Sequence, residues 1–244
     1  MRVRQWTAIA MLAGSALVTG VTRASEVDEA RARKIVGGSC FLCHGSDGES
    51  ASEVFPRLAA QNADYVAKQL ENFKSGKRQS TAMASMVATL SPEDMVALGR
   101  YYASRPPHRE PPRDEPLAAV GEYIYHQGNR FSGVPACATC HGKQGAGSNT
   151  LPRIAGQHAA YLETQMRLFS KRERTNDNAI MHTVVEKMTG AEIAAVTSYP
   201  ETGVVPAFAN TSAAVYISLH REDRNTRFVA VAGAGWYKVT FADR

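Results

Sequence analysis

Cys40-Phe41-Leu42-Cys43-His44 and Cys137-Ala138-Thr139-Cys140-His141 hold all four cysteines of the chain, and their reading decides the fold. Each is a C-x-x-C-H motif. Chance placement of four Cys and seven His among 244 residues gives about 0.002 such motifs, so two of them carry information. Two cysteines three positions apart can form thioethers with the two vinyl groups of one porphyrin. The next residue, His44 or His141, can then turn its imidazole under the iron. The motifs therefore point to two covalently bound haem c groups. A structural zinc site is the rival metal reading, although the two Cys pairs lie 97 residues apart. Thioredoxin-like dithiol chemistry is weaker, because the immediate His and the missing strand-helix alternation are not its pattern.

Composition narrows the class. With 44% hydrophobic and 21% charged residues, the chain can bury one sizeable core or two small ones, which excludes disorder, a collagen repeat and a polytopic membrane protein. Arg2 and Arg4 precede an apolar stretch from Thr7 to Val21, and Thr22-Arg23-Ala24 offers small residues before Ser25. Residues 1–24 thus read as an export signal, with an uncleaved anchor as the alternative. Without them the net charge falls from +5 to +2. An exported chain also permits a disulfide framework, the ordinary reading of four cysteines. Basic and acidic residues are balanced along the chain, so nucleic acid is not an expected partner.

An internal repeat sets the domain organisation. Phe55-Pro56-Arg57-Leu58-Ala59-Ala60-Gln61 returns 96 positions later as Leu151-Pro152-Arg153-Ile154-Ala155-Gly156-Gln157, and Tyr65, Gln69, Phe73 and Arg78 match Tyr161, Gln165, Phe169 and Arg174 at the same offset. From Met83 onward the offset is 98, pairing Met83 with Met181 and Tyr101 with Tyr199. Two copies of one small domain follow, at 25–105 and 117–199. The five prolines of residues 106–116 deny helix donors and read as a semi-rigid linker.

Each copy reads as helical, giving an all-α fold. Glu26 to Gly37 is a polar helix for which Gly37-Gly38 is the expected terminator. Asn62 to Phe73 places Tyr65, Val66, Gln69, Leu70 and Phe73 on one face. Ser91-Pro92-Glu93-Asp94 supplies a cap, a first-turn Pro and acids for a last helix. The second copy repeats this at Leu117 to His126, Ala159 to Phe169 and Gly190 to Tyr199. Pro200 then stops the last helix early, and residues 200–244 alternate in strand fashion. That tail is a small added sheet, an appendage, or the product of a shifted reading frame.

The sixth iron position decides the chemistry. Met83 and Met181 occupy matching places after the middle helix, where a thioether sulfur can face the histidine; thioether ligation favours ferrous iron. Met86 competes in the first site and His182 in the second, while Met188 aligns with Leu90 and reads as core. A haem with both axial positions filled suits a carrier, not a catalyst. Pro56, Leu58, Tyr65, Leu70 and Phe73 are expected pocket walls, as are Pro152, Ile154, Tyr161, Met166 and Phe169.

These motifs, with Pro56-Arg57-Leu58-Ala59-Ala60-Gln61 and Pro152-Arg153-Ile154-Ala155-Gly156-Gln157 and the polar run before each distal Met, resemble the two-domain dihaem cytochrome c family typified by cytochrome c4. The resemblance covers about residues 30 to 199. It implies two class I cytochrome c folds about a pseudo-twofold axis with haems near one another, proximal ligands His44 and His141, and distal ligands Met83 and Met181. It also implies a periplasmic electron carrier running from a respiratory donor toward a haem-copper terminal oxidase or other redox acceptor, with peripheral membrane contact. A dihaem peroxidase and an electron-transfer subunit of a dehydrogenase are the alternatives. The family finishes its second domain with a full helix, so the shortened one here is expected to weaken that domain.

Overall fold

The computed structural model describes the backbone of residues 16–108, 115–199, 218–220, 227–232 and 235–239, and the side chains of residues 26–108 and 117–199. Most of the expected leader and the centre of the expected linker, residues 109–114, lie outside the described residues. The two copies fold as two helical halves with one order of elements.

In the first half, α1 (Ala16–Ile35) passes through a π-helical turn (Val36–Cys40) directly into α2 (Phe41–His44). Gly37-Gly38 does not end the helix as expected. Neither glycine takes the left-handed conformation that caps a helix, and nothing lies within 4 Å of the Cβ either would carry, so the pair permits a wide turn instead. α3 (Ala63–Lys74) and α4 (Thr81–Val87) follow, and α5 (Pro92–Ala103) opens with the expected Ser91/Asp94 capping box. The Ser91 backbone N–H, chiefly, holds the Asp94 carboxyl below its ordinary range. α5 packs on α1 and α3, and Val36, Val66, Met95, Leu98, Tyr101 and Tyr102 form the buried centre.

The second half repeats this with α6 (Glu115–Gln127), α7 (Ala138–His141), α8 (Ala159–Ser170), α9 (Ile180–Val185) and α10 (Gly190–Ser198). Here α6 stops well before the motif, and residues 128–136 intervene as a loop closed by an Asn129–Val134 bridge. Asn129 Nδ2 donates to the buried Glu192 at the start of α10 (2.7 Å), which ties the loop to the core. α10 is three residues shorter than α5, with 9 against 12. Tyr199, just beyond it, is nonetheless only 3% exposed, closing over Tyr125 and His126. Strands β1 (Ser218–His220), β2 (Arg227–Ala232) and β3 (Gly235–Val239) form an antiparallel sheet in the order β1-β2-β3, in keeping with the strand-like reading of the tail. Among the described residues, no helix is long and apolar enough to cross a membrane.

The α6–α10 crossing is the tightest contact of the second core: a Cβ at Gly121 would lie 2.0 Å from the Ala195 carbonyl oxygen. Backbone cannot step aside as a side chain can, so Gly121→Ala forces the helices apart. It is expected to cost about 1–3 kcal/mol, read as a lowered urea midpoint.

Candidate haem sites and the interface between the halves

The proximal side of each site is built from three short elements. The helical rod through α2 leaves Cys40 half-buried, Cys43 exposed and His44 buried. The chain then reverses at Gly45, where φ is 73° and a Cβ would meet the Glu49 carbonyl oxygen at 2.5 Å. This brings Pro56 back over the imidazole. His44 Nδ1 lies 2.9 Å from the Pro56 carbonyl oxygen, and His141 Nδ1 lies 3.2 Å from that of Pro152. A carbonyl can only accept, so each Nδ1 carries the proton and each Nε2 keeps a lone pair, the state an iron ligand needs. Burial pushes both imidazoles below their ordinary pKa, against the smaller opposing effect of the carbonyl.

The residues expected on the distal side sit on short helices. Met83, in α4, is half-buried against the first core, its N–H held by Ser80 Oγ at 3.3 Å. Met86 on the same helix is 47% exposed. Met181, in α9, is half-buried with its N–H on Asp177 Oδ2 at 2.6 Å. His182 is engaged at both ring nitrogens: Nδ1 donates to the Phe169 carbonyl (3.0 Å), and Nε2 receives Arg172 Nε (3.0 Å) with Glu186 at 3.2 Å. Its lone pair is therefore committed elsewhere. Met188 packs in the second core, as the alignment with Leu90 implied.

The donor set fits haem better than its rivals. All four cysteines are free, so no disulfide framework forms. Burial pushes the Cys40 thiol up and the Cys137 thiol up to about 11. Among the described residues, no three His, Cys, Asp or Glu side chains gather to hold a metal ion. What each half offers is one Cys pair beside one neutral imidazole, with a half-buried thioether on a neighbouring helix.

The two sites share a wall that the sequence reading saw as a repeat but not as a contact. Gln157 accepts from Arg57 N (2.9 Å) and donates to Arg57 O (2.8 Å); Gln61 does the same to Arg153, at 2.7 and 2.8 Å. Each arginine adjoins the proline whose carbonyl holds a proximal histidine. Asn62 and His158, equivalent in the repeat, also reach across, to Leu151 O (2.8 Å) and Ser50 O (2.9 Å). Expected pocket walls Tyr65 and Tyr161 present their hydroxyls to the opposite half, at 3.0 Å from Arg174 and 2.9 Å from Arg78. The retention of polar Arg, Gln and Tyr at matching positions was the available signal, since a buried core alone would not require it. One mismatch in the repeat also finds its cause: a Cβ at Gly156 would meet the linker's His108 carbonyl oxygen at 2.8 Å, whereas Ala60 keeps its methyl.

Comparison with known proteins agrees with this geometry. Residues 118–202 match the family model described as "Cytochrome c", and residues 27–101 match that described as "Cytochrome C oxidase, cbb3-type, subunit III". Cytochrome c4 of Pseudomonas aeruginosa is 36% identical over 186 residues, 75% of this chain and 91% of that protein. The chain belongs to the cytochrome c4 family. The crystal structure of reduced cytochrome c4 from Pseudomonas stutzeri superposes with a TM-score of 0.68 at 33% identity, covering 71% of this chain and 97% of that one. A thiosulfate dehydrogenase electron acceptor of Thiomonas intermedia is 36% identical over 166 residues, 66% of this chain and 76% of that protein. As a member of the cytochrome c4 family, the chain carries two haem c groups and serves as a periplasmic electron carrier.

The paired glutamines give the interface its cost of separation. Gln157→Ala leaves Arg57 N–H, Arg57 C=O and His158 N–H without their bonds to that side chain. At about 1–3 kcal/mol per buried group left unpaired, it should destabilise the protein by about 2 kcal/mol or more. The double variant Gln61→Ala/Gln157→Ala should split one calorimetric transition into two.

Proposed function

We propose that this chain receives electrons from a periplasmic respiratory donor, passes them between its halves and delivers them to a haem-copper terminal oxidase. The observation that carries the reading is the matched pair of neutral imidazoles, each with Nε2 free, on two halves locked together beside those imidazoles. A bound haem iron supplies reversible one-electron chemistry at each site. The chain's part is to hold that chemistry still. Cys40, Cys43 and His44 with Met83, and Cys137, Cys140 and His141 with Met181, would hold the two groups. His44 and His141 hold their protons at Nδ1 on the proline carbonyls. Met83 and Met181 would complete the two ligand sets, and Pro56, Tyr65, Pro152 and Tyr161 would wall the pockets against water. With four ligands fixed by backbone and packing, little must reorganise when the electron moves.

The domains are residues 25–105 and 117–199, joined by 106–116, behind a leader at 1–24 and ahead of a tail at 200–244. Peripheral contact with the membrane would bring the carrier to its partner, and with so small a net charge that docking is modest. Similarity to the thiosulfate dehydrogenase electron acceptor favours a second reading, in which the donor is a periplasmic dehydrogenase. Stopped-flow reduction of the oxidised holoprotein by each donor, then reoxidation by a cbb3-type oxidase, separates the two. The leading reading expects reoxidation by the oxidase whichever donor is faster. Inertness to the oxidase, with fast reduction by the dehydrogenase, leaves the second reading.

Replacing Met83 or Met181 with His adds a ligand that favours ferric iron. Each single variant is expected to lower the potential of its own haem with only a small effect on the other. A redox titration unchanged in both variants would reject the distal assignments.

A further inference from the structure

We propose that the loop at residues 128–136 is a docking element for a redox protein with an acidic face, which takes the exposed Phe131 ring as its anchor and exchanges electrons with the second half alone. The inference deepens the electron-carrier reading above and rests on it.

The loop presents an apolar side chain on a fixed frame. Phe131 is 76% exposed. Asn129 and Val134 pair through both of their backbone hydrogen bonds, at 2.8 and 3.0 Å, and close the loop at its base. Gly128 enters the loop with φ 68°, and a Cβ there would lie 2.3 Å from the Val134 carbonyl oxygen. Inside the loop, Asn129 Oδ1 accepts from the Phe131 N–H (2.9 Å) and the Ser132 N–H (3.4 Å), while its Nδ2 is held by the buried Glu192. Lys187 Nζ, from the turn after α9, donates to the Gly133 carbonyl at 3.4 Å. The loop is therefore ordered on folding, and a partner that binds it need not order it again.

A lone exposed apolar residue needs no explanation, but here the ring is fixed among cations. Arg130 lies over it, 4.8 Å from its centre, and Lys187 stands across the loop at Gly133. Among the described residues, neither cation is paired with a carboxylate, so the ring sits in a local positive field although the chain as a whole is nearly balanced. Aromatic rings and arginines are the side chains that anchor protein interfaces. Cations without a carboxylate of their own select a partner that brings one. One ring offers far less apolar surface than the acyl chain that by itself holds a protein only marginally to a membrane, so a protein face fits it better than a lipid surface. The loop's place in the chain ties docking to electron exchange, because it runs through Pro135 and Ala136 directly into Cys137. The first half has no counterpart: there α1 passes through its π-helical turn into α2 without a loop. A partner that needs the loop thus addresses only the second half.

The test is stopped-flow electron exchange of the holoprotein with thiosulfate dehydrogenase as donor and with a cbb3-type oxidase as acceptor. It compares wild type, Phe131→Ser and the charge-reversed Arg130→Glu/Lys187→Glu. Each variant should slow one and the same exchange by about tenfold or more, leaving the other exchange and both midpoint potentials unchanged. The wild-type rate of that exchange should fall as salt rises, with a slope that charge reversal removes or inverts. Neither exchange slowed, both slowed alike, a shifted potential, or a wild-type rate indifferent to salt would overturn the proposal. So would Phe131-dependent dimers in sedimentation or Phe131-dependent binding to phosphatidylglycerol vesicles, each of which gives the loop another occupant. Failure of the electron-carrier reading is separate and visible first, as wild-type holoprotein that exchanges electrons with neither protein.

Discussion

The bond from histidine Nδ1–H to a proline carbonyl is the interaction on which the rest depends. An imidazole that carries its proton on the inner nitrogen offers the outer one to iron, and it cannot rotate without breaking a bond in a partly buried place. His44 with Pro56 and His141 with Pro152 satisfy this at 2.9 and 3.2 Å. Each proline in turn is held from outside its own half. The neighbouring Arg57 and Arg153 have both backbone polar groups tied to a glutamine across the interface. The proximal geometry of one site is therefore a property of the whole molecule. Two such halves apart would keep their cores but lose the clamp on their histidines.

The pseudo-symmetry is broken where the chain must connect. Gly156 leaves room for the His108 carbonyl of the linker, and His108 Nδ1 reaches Glu49 Oε2 at 2.9 Å, drawing the linker onto the first half. The loop at 128–136 stands where the first half has only a π-helical turn, anchored through Asn129 to the buried Glu192. The distal helices also differ: α4 is capped by Ser80, while α9 starts after Ala179 in a left-handed conformation with φ 63° and takes its first-turn support from Asp177. These differences surround the two candidate sites.

Much of this was legible in the sequence because the signals are local. The two C-x-x-C-H motifs, the face of α3 from Tyr65 to Phe73 and the capping box at Ser91 each follow from spacing within a dozen residues, and each is found as expected. Gly37-Gly38 misled because a glycine pair ends a helix only where the backbone turns left-handed, and here it does not. The crossed bonds of Gln61, Gln157, Arg78 and Arg174 join positions separated by 83 to 109 residues, and no periodicity reports such a pairing. Their repetition in both copies was visible, but its meaning needed the two halves placed face to face. His182 was separated from Met181 in the same way, by partners on α8 and its following turn that spacing does not reveal.

The central claim is that both irons are caged, each between a tautomer-fixed histidine and a methionine of its own half. Proton NMR of the fully reduced holoprotein tests it most directly, because a methionine methyl held over a haem face is shifted far upfield by the ring current. The account predicts two such three-proton signals, one lost in Met83→His and the other in Met181→His. A single signal, none, or two that survive both substitutions would contradict it.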